Sequence, residues 1–192
     1  MSYMAKGFLS LAQSRKTAHE FSSKQVSKAD LLRILEAGRW APSFLNLQPW
    51  EFVIVKESQA KEALLKSAYY GIYTFGDFKG LPPVVVAIVL KKKYWEGQYG
   101  YPRRDKPGVF EAYLSIAMPA SNMVLEATDL GIGSAILNVN AYVAERTLKL
   151  KDGDTAPLIV CFGYEKPGAK ARKRSRKPME SLLHYGHYGG KE

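Results

Sequence analysis

The stretch APSFLNLQPW, residues 41–50, lies between a strongly patterned helical segment and an apolar strand segment. Two prolines, two amides, a serine and a tryptophan fall within these ten residues. One explanation is a proline that ends the helix, followed by a tryptophan of the core. The alternative is a rigid turn around a planar ligand, because prolines and fixed amides would preorganise such a contact.

The segments on either side of this stretch predict a protein that mixes helices and strands. Upstream, Ser27 is the predicted N-cap of a helix, with Asp30 three residues later and an apolar stripe that includes Trp40. Downstream, EFVIVK (51–56) and PVVVAIVL (83–90) have the length and apolar character of buried strands. Similar patterns predict a short helix that opens the segment 10–21 and ends near SRKT (14–17). They also predict helices at 58–70 (capped by Ser58), 109–131 and 141–150, and strands at 133–139 and 156–164. This alternation indicates an α+β or α/β fold.

Two adjoining segments indicate an interface. Helix 109–131 is apolar on nearly every face despite Pro119, so it is expected to be buried, either centrally or between subunits. The preceding segment 92–108 places aromatic residues among charges and glycines, and it is too long for a routine connector. It is predicted to be a lid or interface loop, with residues 94–110 as a candidate wall for a substrate.

Composition indicates one soluble globular domain over residues 1–192, of which 46% are hydrophobic and 24% charged. The longest apolar run is far shorter than a membrane span, and residues 1–30 lack the hydrophobic core of a signal peptide. A cytoplasmic protein without a membrane partner is therefore expected. The single Cys161 excludes an intramolecular disulfide and is predicted to be a buried structural thiol.

Most of the formal net charge of +10 lies near the C-terminus. Residues 166–192 contain eight Lys or Arg and two Glu, mainly within the run KPGAKARKRSRK (166–177). Such a run is typical of a solvated or interacting tail, and it could also hold the phosphate of a small ligand. A basic face spread over the whole domain, as in many nucleic-acid-binding proteins, is not indicated.

The sequence lacks the common signatures of catalytic and nucleotide-binding sites. No G-x-G-x-x-G follows a strand, and neither a Walker loop nor a G-x-S-x-G elbow is present. His19, His184 and His187 lack metal-ligand spacing, so no metal is expected. An enzyme of this sequence would use a bound organic cofactor, and no side chain is expected to act as the nucleophile.

Three separated groups of side chains would suit a phosphorylated, planar cofactor, because cations and hydroxyls bind phosphate and polyol groups. Each group also has a simpler explanation: surface cations are commonly just solvated, and amides in turns commonly cap their own backbone. The three groups are Arg15, Lys16 and Thr17 after the first helix; Ser43, Asn46 and Gln48 in the 41–50 stretch; and Arg174 and Arg176 in the basic tail.

In this order, the segments resemble the FMN-dependent nitroreductase family. RKTAHEF (15–21) is similar to the family's R-R-S-x-R-x-F, and residues 41–50 match A-P-S-S-x-N-x-Q-P-W with Phe44 in place of the second serine. ASNMVLEATDLGIGSAIL (120–137) resembles its small-residue helix and L-G-L-G turn, and RSRKPMESLLH (174–184) resembles its closing R-x-R-x-P-L-x-E-L-V. The resemblance runs from about residue 13 to residue 186.

The resemblance implies an α+β domain with a central, mostly antiparallel sheet flanked by helices. It also implies an intertwined homodimer with two FMN molecules at its interface. NAD(P)H would reduce FMN and be replaced by a nitroaromatic, quinone or similar acceptor in a ping-pong reaction. The 42–48 turn of one subunit would contact flavin held mainly by the other, and helix 109–131 would lie in the interface.

The resemblance assigns the phosphate and ribityl oxygens of FMN to Arg15, Lys16 and Thr17. Arg174 and Arg176 would complete the phosphate site. Because no dinucleotide motif accompanies these residues, FMN is expected rather than FAD.

Other contacts are implied for the flavin ring. Lys79 would lie at its pyrimidine edge, where a solvated loop lysine is the simpler explanation. His19 would lie near N1 and C2, unless it points away as a neutral histidine. The remaining implied contacts are Pro42, Ser43, Asn46 and Gln48 of the turn, and the backbone of Ile136, Leu137 and Asn138 near N5 and O4.

Two kinds of alternative stay open. The chain departs from the family pattern at Val139, where many members have Gly, and at Gly76, where some have Asn. These departures bear on substrate class, and dehalogenation, azoline oxidation and flavin breakdown occur in the wider superfamily. A basic nucleic-acid-binding protein is the other alternative, although no nucleic-acid partner is expected; a copurified yellow colour would distinguish the two.

Overall fold

The computed structural model of the protein describes residues 7–69, 79–94, 109–170 and 174–192. Its helices are α1 (Phe8–Ser14), α2 (Lys28–Arg39), α3 (Ser58–Lys66), α4 (Val109–Asp129) and α5 (Ala141–Leu148). Its strands are β1 (Trp50–Val55), β2 (Ala68–Tyr69), β3 (Val84–Leu90), β4 (Gly133–Val139) and β5 (Thr155–Gly163). Gly76 and most of the predicted interface loop lie outside the described residues.

The strands form one sheet in the order β1-β3-β5-β4-β2, and each neighbouring pair is antiparallel. The expectation of an α+β fold with an antiparallel sheet is therefore confirmed. Among the described residues, the short strand β2 pairs with Val139 and Asn138 at the end of β4. Of the described strands, none pairs with the outer edge of β4 before Asn138.

Helices cover both faces of the sheet. On one face, Leu64 of α3 and Ala144 of α5 pack against strand residues that include Cys161. On the other face, Ile34 of α2 and Met123 of α4 pack in a second cluster with alternate strand residues. Cys161 is buried, as predicted, and this burial raises the pKa of its thiol to about 12.

Local signals predicted some helix features well and others wrongly. The Ser27 cap is confirmed, since its hydroxyl accepts a hydrogen bond from Asp30 N at 3.0 Å. Trp40 is 72% exposed instead of lying on the apolar stripe, because its indole N–H donates to Glu36 Oε1 at 2.8 Å on the solvent side. The predicted cap at Ser58 is also wrong, because Ser58 is already the first helical residue and the N-cap is Glu57.

Helix α4 continues through Pro119 to Asp129. Its buried side packs on the sheet and on α2, while its other side is exposed within the single chain, so central burial accounts for only part of the helix. The exposed residues are Tyr113, Leu114, Ala117, Met118 and Ser121. No helix in the described ranges has the length and apolar character needed to cross a membrane.

Candidate functional site

Among the described residues, the outer edge of β4 carries a pair of backbone groups that no strand covers. At one end, Thr17 forms a parallel bridge with Ser134, and Ala18 N–H donates to Ser134 O at 2.9 Å. At the other end, Asn138 pairs with β2. Alternate residues of a strand direct their N–H and C=O groups to the same edge, so those of Ile136 point away from β5 between these two contacts. The Ile136 side chain is 40% exposed.

The basic segment after α1 lies directly beside this edge because Thr17 is bridged to it. Arg15 Nη1 donates to Thr17 Oγ1 at 3.4 Å, which holds the guanidinium next to the hydroxyl. Lys16 Nζ lies 2.6 Å from Glu165 Oε2, at the end of β5. The three residues predicted from the sequence to act together are therefore adjacent to the open edge of β4.

The basic tail returns to the same place. Arg174 Nη1 donates to the backbone oxygen of Gln13 at 2.8 Å and to that of Arg15. These carbonyls end α1, where a cation is favoured by the helix dipole. A cleft of about 600 Å³ lies here, lined by Ala12, Gln13, Arg174, Ser175 and Arg176. The structure thus brings the predicted group at residues 15–17 close to the predicted group at Arg174 and Arg176, although the two are far apart in sequence.

Lys79 and His19 also meet at this side of the molecule. Lys79 N–H donates to His19 O at 3.2 Å, and Lys79 Nζ lies 2.8 Å from Glu20 Oε1. The hydrogen bond from Lys79 holds the pKa of Glu20 below its usual value. Lys79 remains largely exposed, whereas both ring nitrogens of His19 are buried within the chain.

The turn at residues 42–48 has unusual backbone angles. Leu45, Asn46 and Gln48 have φ of 47°, 56° and 47°, a region that residues with side chains rarely adopt. Ser43 Oγ accepts from Gln48 N at 2.9 Å, and Gln48 Nε2 donates to Asn46 Oδ1 at 3.2 Å. The amides therefore brace the turn itself, as the simpler explanation of the sequence held.

The turn rests on the exposed side of α4. Phe44 N–H donates to the buried Ser115 Oγ at 3.3 Å, and that hydroxyl donates in turn to Glu111 O at 2.7 Å. A cavity of about 190 Å³ lies between the two elements. Its lining residues are Pro42, Ser43, Phe44, Glu111, Leu114, Ser115 and Met118.

Sequence reasoning missed the residues that position the predicted ones. Glu20 and Glu165 pair with the predicted lysines, and Ser115 anchors the turn. Ser115 had a readable signal, because a serine within an apolar helix needs a hydrogen-bond partner when buried. Glu20 and Glu165 had none, since their partners come from other segments.

Known proteins are similar to this chain over most of its length. The family model described as the Nitroreductase family matches residues 12–164. The chain belongs to the nitroreductase family. Two relatives are both named as predicted NAD(P)H nitroreductases. YfkO of Bacillus subtilis is 42% identical, and the match covers 84% of this chain and 90% of YfkO. SAUSA300_2462 of Staphylococcus aureus is 37% identical, and the match covers 96% of this chain and 98% of that protein.

Solved nitroreductase-family structures share the fold. A nitroreductase family protein from Streptococcus pneumoniae has a TM-score of 0.76 at 24% identity, covering 93% of this chain and 99% of its own. A nitroreductase from Desulfovibrio desulfuricans, solved in complex with FMN, has a TM-score of 0.73 at 21% identity, covering 94% and 96%. The nitroreductase fold is therefore shared over nearly the full length of each chain.

Proposed function

We propose that this nitroreductase-family protein is an FMN-dependent NAD(P)H oxidoreductase that reduces nitroaromatics, quinones or similar acceptors. The observation that carries the proposal is the continuous contact from Arg174 through Arg15 and Thr17 to the open edge of β4. Family membership and the FMN complex of a related structure give independent support.

The groups present fit the two ends of FMN. Arginine guanidinium groups around the 600 Å³ cleft match a phosphate, because they form charge-assisted hydrogen bonds with its oxygens. The open N–H and C=O of Ile136 match the donors and acceptors on a flavin ring edge. When bound, FMN would supply two-electron redox chemistry that no amino-acid side chain provides.

Each part of the site would then have one task. Arg15, Arg174 and Arg176 would bind the phosphate, while Lys16 and Thr17 would bind the ribityl chain. The backbone of residues 136–138 would orient the ring, and Lys79 would place a positive charge at its pyrimidine edge, with its position set by Glu20. His19 would add to that charge only if its ring, whose nitrogens are buried within the chain, turned towards the flavin.

The overall reaction balances as NAD(P)H plus a proton plus a quinone giving NAD(P)⁺ and a hydroquinone. Two electrons pass from the nicotinamide to the acceptor, and the acceptor gains two hydrogens. Because one planar pocket would take reductant and acceptor in turn, ping-pong kinetics are expected. Pro42, Ser43, Asn46 and Gln48 would contribute the wall of that pocket.

We further infer an intertwined homodimer. Tyr113, Leu114 and Met118 expose apolar surface on α4, and none of the residues of α1 is buried. In α1, Phe8 is 73% exposed. Contiguous exposed apolar surface of this kind marks an interaction site.

The proposal is tested by the absorbance spectrum of the purified protein, chromatography of any released cofactor, and anaerobic titration with NADH and with NADPH. A yellow protein that releases FMN and is bleached by either reductant is expected. Released FAD, or a colourless protein that takes up no FMN, would contradict the proposal. Salt-sensitive DNA binding by a colourless protein would favour the nucleic-acid alternative.

A further inference from the structure

A lysine of α3 fastens the segment that begins at Lys79 and leads into β3. Lys61 Nζ donates to Pro83 O at 2.6 Å and to Pro82 O at 3.4 Å. Pro82 is buried, and buried carbonyl oxygens need hydrogen-bond donors. Here a side chain from another element supplies them. The position of the proline pair therefore depends on Lys61.

The ammonium group of Lys61 has partly left water to make these contacts. The side chain is partly buried, and this burial lowers the pKa of Lys61 below its usual value. Burial of a charge is costly unless hydrogen bonds compensate it, and charge-assisted bonds to the two carbonyl oxygens do so here. Lys61 is thus held in place, unlike a solvated surface lysine.

The proline pair rests on the part of the molecule that carries the proposed cofactor site. A Cβ atom at Gly163, the last residue of β5, would lie 2.6 Å from Pro83 Cδ and 2.8 Å from Phe21 Cδ1. A side chain does not fit at that distance, so Pro83 packs directly over the strand. Phe21 in turn bridges to Glu165, and it follows the segment in which Thr17 bridges to β4.

Lys79 lies between this proline pair and the edge of β4. Its N–H donates to His19 O at 3.2 Å, and its ammonium group lies 2.8 Å from Glu20 Oε1. The next residue, Gly80, has φ of 94°, a conformation that glycine adopts without strain and from which it rotates easily. The contacts of Lys79 therefore need a fixed point beyond Gly80, and Lys61 provides it.

We propose that Lys61 is a positioning residue for the ammonium group of Lys79, and that it thereby raises the preference of the site for reduced over oxidised FMN. The proposal rests on the oxidoreductase function above, in which Lys79 lies at the pyrimidine edge of the flavin. Reduction adds negative charge to that edge, so a cation held beside it stabilises the reduced form. Lys61 acts through Lys79 and not by contact with the flavin.

The midpoint potential of the bound FMN, obtained by spectroelectrochemical titration, measures this preference. Lys79→Met should weaken the preference by about tenfold, which lowers the potential of a two-electron couple by about 30 mV. Lys61→Met should weaken it by about threefold, or about 14 mV. In the Lys79→Met background, Lys61→Met should lower the potential no further, because the group that it positions is gone.

Two further variants separate positioning from other effects. Lys61→Arg keeps a charged donor and should restore most of the wild-type potential. Lys66→Met is the matched control, because Lys66 lies on the same helix with an exposed side chain paired to Glu62, and it should leave the potential unchanged. If the shifts of Lys61→Met and Lys79→Met simply add, Lys61 acts independently of Lys79 and the proposal is wrong.

Hydrogen exchange of the flavin-free protein tests the anchor by itself. In Lys61→Met, the amide of Lys79, which donates to His19 O, should exchange severalfold faster than in the wild type, Lys61→Arg or Lys66→Met. An unchanged exchange rate overturns the proposal even where the protein binds FMN. A wild-type protein that takes up no FMN instead overturns the proposed function, and with it the role of Lys61 in flavin reduction.

Discussion

The outer edge of β4 and the turn at residues 42–48 contain most of the predicted site residues, but the chain holds them differently. At the edge, backbone bridges and Arg174 join three distant segments into one structure. The turn has three residues with left-handed φ and stands on the exposed side of α4, with Leu45 71% exposed.

The difference shows which part of the site one chain completes. Beside the edge, the side chains of Arg15, Lys16 and Arg174 find partners within the chain, whereas the turn combines backbone strain with exposed apolar surface. Strained residues persist where surrounding structure compensates them, and exposed apolar surface marks contact sites. We infer that one chain forms the phosphate end of the site and that two chains are needed for the turn to act.

The largest expected effect comes from a charge on the exposed side of α4. Ala117→Glu should abolish the proposed dimer and release flavin, because an unpaired carboxylate would be buried in the interface. Glutamate is a good helix former, so the isolated chain should stay folded. Light scattering measures the loss of the dimer, and flavin absorbance measures the release of flavin. Ala29→Glu, at an exposed position of α2, is the control. A flavin-loaded dimer of Ala117→Glu would refute the two-chain interpretation.

The next effect concerns the two arginines of the edge region. Arg174→Ala should weaken FMN binding by about tenfold to a hundredfold, since charge-assisted hydrogen bonds contribute about 1.5–3 kcal/mol. Arg176→Ala should have a smaller effect, because Arg176 donates to the adjacent Ser175 O, whereas Arg174 also fastens the tail to α1. Fluorescence titration of apoprotein with FMN measures both. If the double variant Arg174→Ala/Arg176→Ala binds FMN as tightly as the wild type, the basic tail is only a solvated segment.

The third prediction is that acid pH loosens the turn region before the edge of β4. Pro49 O, at the end of the turn, accepts from Lys91 N, and Lys91 Nζ lies 2.5 Å from Asp154 Oδ2. Burial alone would raise the pKa of Asp154, but hydrogen bonds from Lys91 and Lys92 outweigh it and lower that pKa. This stabilisation is fully present above the unfolded pKa of about 3.9 and is lost as the pH falls through the lower folded value.

Asp154→Asn should therefore reduce the free energy of unfolding at neutral pH by about 1–3 kcal/mol, because it removes the charge-assisted hydrogen bonds that a buried carboxylate accepts from Lys91 Nζ and Lys92 N. The deficit should shrink at acid pH below the unfolded pKa of about 3.9, because the wild type progressively loses the same stabilisation as its carboxyl is protonated. Urea unfolding at both pH values measures it, and hydrogen exchange should show faster opening at residues 42–49 than at β4. A loss of unfolding free energy that is the same at both pH values would contradict the role given to the Lys91–Asp154 ion pair.

The smallest effect tests the strain in the turn. Leu45→Gly should change stability by less than about 1 kcal/mol, because relief of the left-handed backbone offsets the entropy cost of glycine. Leu47 has φ of −68°, so Leu47→Gly gains no such relief and should be less stable than Leu45→Gly. Thermal unfolding of the two variants ranks them. The reverse order would mean that Leu45 is not strained.

Features that depend on neighbouring residues were predictable from the sequence. The buried strands, the Ser27 cap and the buried Cys161 follow from local periodicity, hydrogen bonding over three residues and hydropathy. The predictions at Trp40 and Ser58 were wrong because the same local sequence pattern is compatible with two different structures. A tryptophan can satisfy its N–H at the surface, and a serine can begin a helix without capping it.

The sequence by itself determined the strands, the helices and the chemical groups available to a cofactor, because hydropathy and hydrogen-bonding capacity belong to each residue. Only the tertiary structure decided that Arg174 meets Arg15 and that Ile136 faces an open edge, since those depend on contacts between segments far apart in the chain. It also decided which side of α4 stays exposed. An apolar helix has no preferred side until the sheet and α2 have covered one.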